Sequence, residues 1–177
     1  MTENRIDMTA FGLFFVALVS LPIALISILV YFEVDYGMAG EELGALLMVC
    51  AVFIMFAALG SYKCNSNFGT TVFGLVGAGV FFAGYAGGSL YTNLTLAVIY
   101  LAAFVWSYMA KSTPVLTTIL LTTSLIFLFG GIAVPEAGIW VLLKGLAALA
   151  NFLLALYLSF ILVKAECVGC GCEEAEG

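Results

Sequence analysis

Between Lys63 and Lys111 the chain carries no charged side chain at all. A soluble domain is about a quarter charged, so an uncharged stretch of this length has no water-facing surface to offer and belongs in lipid. The rest of the sequence agrees, with 64% hydrophobic and 9% charged residues and a mean hydropathy of +1.21. At about 20 apolar residues per helical crossing, 177 residues hold six spans joined by tight loops and leave no space for a separate soluble domain.

Breaks set by charges, prolines and glycine clusters place the spans at 9–31, 43–62, 68–88, 91–110, 114–134 and 138–163, as one transmembrane unit over 1–164 with a Cys/Glu-rich tail at 165–177. The third and fourth spans are divided only by the turn-forming stretch Gly87 to Asn93, and a five-span chain with one tilted segment there is the rival count. Basic residues decide between them, because cytoplasmic loops retain Lys and Arg. With six spans Arg5, Lys63, Lys111 and Lys164 share one side, opposite Glu33, Asp35, Glu41, Glu42 and Glu136; five spans would split the bases. The expected fold is therefore an all-α integral membrane protein of six helices, multi-pass in the cell membrane, with both termini cytoplasmic. Arg5 and the apolar run after it lack a small-residue cleavage site, which favours a retained first helix over a signal peptide.

The chain has no His, and its acids lie mainly in loops and in the tail. Acid/base pairs, a Ser-His-Asp triad and a zinc centre lack raw material, so no enzyme and no cofactor is expected, and the absence of a basic patch argues against nucleic acid. The net charge of −6 is concentrated at Glu166, Glu173, Glu174 and Glu176.

Few intramembrane residues carry chemistry, and each has two readings. Pro22 removes one amide donor from the first span, producing either a packing kink or a carbonyl turned toward a permeation path. The third span is rich in glycine, and Gly84 with Gly88 forms a small-xxx-small pair that suits close helix packing or a backbone-lined pore. In the fifth span Thr113, Thr117 and Ser124 fall near one face and Thr118 and Thr122 on an adjoining strip; such hydroxyls either bond back to their own helix or offer a polar stripe to a substrate. Lys144 sits about two turns into the sixth span, where a cation is costly, and it either snorkels outward past Trp140 or attracts anions at the outer mouth. Cys167, Cys170 and Cys172 supply three thiols that are weak candidates for a soft metal, without a fourth ligand.

In its second span and the following loop the chain runs "FIMFAALGSYKCNSNFGTTVFGLVGAGVFF". The order Tyr62, Lys63, Asn65, Phe68, Gly69, Thr70 or Thr71, and Phe73 resembles the acetate/succinate transporter family, and "YLAAFVWSYMAKSTPVL" and "ALYLSF" fall where that family has its fourth and sixth helices. The family's Asn-Pro-Ala-Pro-Leu-Gly signature is replaced here by Asp7 to Gly12, with only Gly12 kept. The resemblance implies a homohexamer in which each protomer holds its own narrow path for small monocarboxylates. It further implies a constriction at Val16, Val76 and Thr123 with Phe15 adjacent; candidate substrate contacts are Phe11, Gly12 and Phe73, to which the hydroxyl strip adds Thr118, Thr122 and Ser124 and the intramembrane cation adds Lys144.

The expected function is a channel or proton-linked transporter for acetate or similar monocarboxylates, with the substrate and membrane lipid as partners. Two alternatives stand beside it: a path for a neutral solute such as urea or ammonia, and a non-transporting membrane sensor of metal or redox state that uses the cysteine tail.

Overall fold

A computed structural model of the chain describes residues 8–34, 40–64, 66–87, 89–133 and 138–171, with 40, 41 and 165–171 described by backbone alone. These residues form α1 (Thr9–Tyr31), α2 (Gly40–Lys63), α3 (Asn67–Ala86), α4 (Leu90–Met109), α5 (Pro114–Ile132) and α6 (Ile139–Gly171). All six are long and apolar enough to cross a membrane, and no strand occurs among the described residues. The chain is thus a six-helix, multi-pass membrane protein. Arg5, Asp7, Asp35, Asn65, Gly88, Val134 and Glu136, together with the side chains of Glu41, Glu166, Cys167 and Cys170 and all of Cys172, lie outside the described residues.

Local chemistry explains the punctuation. Gly87 adopts φ 68, the left-handed value that ends a helix cheaply without a Cβ, and its N–H donates to Ala83 O. Ser89 then caps α4 by accepting from Thr92 N at 3.2 Å, so the uncharged stretch is split between Gly87 and Ser89, and the Leu90 to Asn93 part of the expected turn already belongs to α4. Ser66 caps α3 in the same way, accepting from Gly69 N at 3.2 Å, and Pro114 opens α5, where a missing N–H costs nothing. Pro22 lies inside an unbroken α1. α6 runs on past residue 163 to Gly171, because nothing between Val163 and Gly169 breaks a helix.

The helices form a ring in chain order, each packed on the next and α6 packed back on α1, with α3 and α4 making the thinnest joint. Since lipid removes the hydrophobic drive between helices, close backbone approach and interhelical hydrogen bonds must hold the ring. Gly44 and Gly84 bring α2 and α3 together: a Cβ on Gly84 would lie 2.8 Å from Gly44 O. Gly145 does the same for α6 on α1, where a Cβ would lie 2.9 Å from Ile28 Cγ1, and lower on the same pair Ser159 Oγ donates to Ala10 O at 2.9 Å. The α4–α5 pair is joined by Ser124 Oγ donating to Ala97 O at 2.8 Å and by the Ser107 and Thr117 hydroxyls, 2.8 Å apart. Across the thin joint the fully buried Tyr100 reaches from α4 to α3, its hydroxyl 3.3 Å from Leu75 O and 3.4 Å from Val76 O, while its ring stacks on Phe127 at 5.4 Å.

The α1–α2, α3–α4 and α5–α6 connections share one end of the ring, the upper end; the α2–α3 and α4–α5 turns, with Lys63 and Lys111, share the lower end.

Candidate functional site

Two neighbouring spaces lie among the helices. A vestibule of about 450 Å³ reaches the upper end and is lined by residues of all six helices, among them Ser27, Gly84, Asn93, Gly130 and Lys144. Below it lies a cavity of about 50 Å³. Ile23, Leu47, Ala83, Ile126 and Phe127 line both, so the two spaces meet at a shared apolar boundary.

Lys144 is drawn toward the vestibule. Its stem passes the bare face of Gly130, where a Cβ would sit 3.6 Å from Lys144 Cε and 3.5 Å from Asn93 Nδ2. Trp140, one turn earlier, instead pairs with Phe129 at 6.0 Å, and the Lys144 side chain is directed into the ring. It has no hydrogen-bond or ion-pair partner among the described residues. A lone ammonium in a recess with low-dielectric walls focuses its field into that recess.

The lower cavity is polar on one side only. Asn151 of α6, 2% exposed, accepts through Oδ1 from Thr122 Oγ1 at 2.8 Å and from Thr123 Oγ1 at 3.3 Å, and donates through Nδ2 to Ser20 Oγ at 2.9 Å. Ser20 in turn donates to Val16 O at 2.8 Å. One amide thus ties α1, α5 and α6 together beside the cavity, opposite Val76 and Val80 of α3. Interhelical hydrogen bonds in spans contribute only about 0.6 kcal/mol on average, too little for stability alone to explain an amide at this depth.

Of the residues expected to form a constriction, Val16, Val76 and Thr123 all line this cavity. Phe15 does not: it is half-buried between α1 and α2 and stacks on Phe53 at 4.6 Å. Phe11 belongs to the same aromatic group, 4.9 Å from Phe15. Gly12 and Phe73 meet each other below the cavity, where a Cβ on Gly12 would lie 2.7 Å from Phe73 Cε1 and 2.6 Å from Ala57 Cβ; they form a packing contact between α1, α2 and α3.

The hydroxyl strip on α5 divides. Thr122 and Thr123 join Asn151, whereas Ser124 turns to α4 and Thr118 is exposed, bonding back to Pro114 O at 2.8 Å. Thr118 lines a separate open cleft beside Lys111 and Ser112 at the lower end. The sequence does not single out Asn151, and it gives Ser20 only as a partner for a carbonyl freed at the Pro22 kink, not as a site residue. The available signal was an asparagine within the long apolar run of the sixth span, since polar groups inside spans are expensive and mark pathways. No family model, curated protein or solved structure matches the chain.

Proposed function

We propose that the ring is a transmembrane pathway for acetate or similar small monocarboxylates, entered through the vestibule. The carrying observation is Lys144, a cation without a partner among the described residues, in a recess that borders a small, mostly apolar cavity edged on one side by Ser20, Thr123 and Asn151. A carboxylate gains from that field, and the motif around Tyr62 to Phe73, with its resemblance to acetate/succinate transporters, supports the same substrate class. The resemblance also supports a homohexamer in the cell membrane, each protomer with its own path. Channel-like passage suits the site better than coupling to a protein carboxylate, because no Asp or Glu lies within the described portion of the vestibule or cavity.

Initial acetate flux into liposomes is the test. Lys144→Met lowers it several-fold at low ionic strength and much less at high salt, because the Debye length shrinks from about 30 Å at 0.01 M to about 3 Å at 1 M. A salt-independent effect removes the electrostatic role, and no acetate flux in the wild type removes the reading.

In this reading the upper end faces outside and the basic lower end faces the cytoplasm. An impermeant thiol reagent applied to intact cells then leaves the native cysteines unlabelled and reacts with Glu42→Cys. Labelling of the native protein without lysis reverses the orientation.

A further inference from the structure

The hydrogen-bond inventory of the lower cavity says which form of a solute it accepts. An asparagine side chain carries two N–H donors and one oxygen with two acceptor sites. Thr122 fills one oxygen site at 2.8 Å, Thr123 Oγ1 lies 3.3 Å from the same oxygen, and one N–H goes to Ser20. The second N–H has no acceptor among the described residues, and Asn151 lines the cavity. The hydroxyl hydrogens of Ser20 and Thr123 are committed, to Val16 O and to Ile119 O or Asn151 Oδ1, which leaves their oxygens as acceptors beside the cavity. The site therefore presents one donor and neighbouring acceptors, and no charged side chain among the described residues lines it.

A carboxylate is acceptor-only. Placed here it would satisfy one oxygen at Asn151 and set the other against oxygen lone pairs, with Lys144 confined to the vestibule above. Burying an ion without a counter-charge is strongly unfavourable. A group with one carbonyl acceptor and one adjacent X–H donor fits on both counts.

We infer that the Asn151–Ser20–Thr123 cavity is a selectivity site for the uncharged C(=O)–XH group of one- and two-carbon solutes, and so admits small primary amides as well as protonated carboxylic acids. This rests on the proposed pathway and narrows it: Lys144 concentrates the anion, and the cavity passes the neutral form, which takes its proton from water above and returns it below. Size limits the class. A water needs about 10–15 Å³ of such space, so about 50 Å³ accommodates a few heavy atoms. The apolar walls formed by Val16, Val19, Val76 and Val80 offer nothing to a second carboxylate.

Acetamide separates this site from the pathway as a whole, because it matches acetic acid in shape, shares its carbonyl acceptor with an adjacent donor, and never ionises at neutral pH. Full-length protein in liposomes is tested with acetamide and with labelled acetate, each measured above protein-free liposomes. The wild type passes acetamide at a rate independent of ionic strength and of pH, and acetate faster as pH falls. Asn151→Leu lowers acetamide passage about tenfold, and the isosteric Thr123→Val lowers it several-fold; should the leucine variant fail to assemble, Thr123→Val decides alone. Acetate flux without acetamide flux overturns the inference while the pathway stands, and no flux of either solute overturns the pathway itself. Acetamide passage unchanged in the variants that assemble also overturns the inference, since the solute then bypasses the site.

Discussion

Val76→Phe is expected to cut acetate flux roughly ten- to a hundredfold while leaving insertion and helix content intact. Val76 lines the lower cavity opposite Asn151, and a phenyl group there occupies much of a space of only about 50 Å³. Forcing extra volume into a packed site costs about 1–3 kcal/mol; added to the barrier for passage, that corresponds to the stated fall. Tyr100 makes the effect sharper, because its hydroxyl lies 3.4 Å from Val76 O and braces the backbone that would have to move aside. Initial flux in liposomes, normalised to the amount of incorporated protein, checks it. Undiminished flux places the narrow part elsewhere.

Gly84→Leu carries the largest expected loss of stability. The 2.8 Å between a Cβ at Gly84 and Gly44 O is to backbone, with Leu47 Cβ at 3.0 Å behind it, so no side-chain rotation relieves the clash and α2 must separate from α3. At about 1–3 kcal/mol for overpacking, and about 2–4 °C per kcal/mol for a chain of this size, thermal unfolding in mild detergent should shift down by several degrees. Gly74→Leu is the control. A Cβ at Gly74 meets nothing within 4 Å, so the same substitution on the same helix should leave the transition in place. Equal effects at both positions would mean that helix α3 itself, not its contact with α2, responds to leucine.

Six spans were legible in the sequence because lipid imposes one strong rule, an apolar window of sufficient length between polar breaks. The position of a side chain around its helix is harder to read. In a soluble helix polarity marks the outer face, but in a span both lipid and the ring interior are apolar, and Phe15 and Val16 differ little in what either environment asks of them. A register carried over by resemblance brought Val16, Val76 and Thr123 to one cavity, where hydropathy alone had no means of doing so. The α5 hydroxyls show the second difficulty. Thr118, Thr122 and Thr123 all lie close to a carbonyl of their own helix, so their presence in a span carries no information about which way they face. Asn151 has no such local escape. Its amide must find partners on other helices, and that makes a single asparagine a better pointer to the centre of the ring than any hydroxyl strip.

The closure of the ring by α6 on α1 has a consequence for biosynthesis. Helices enter the bilayer in the order of translation, so α1 waits through the insertion of four others before its partner exists. Until then the Ser20 hydroxyl has only Val16 O, and the hollow that becomes the cavity is open sideways to lipid along the missing helix. α6 delivers Asn151 and the wall together, joining residues 131 positions apart. In a chain that stops after α5, Thr122 and Thr123 have only carbonyls of their own helix as partners, and the groove they edge faces lipid. A cell that produces this protein must either complete α6 promptly or shield that groove, which makes the interval before α6 emerges the step at which quality control has something to recognise.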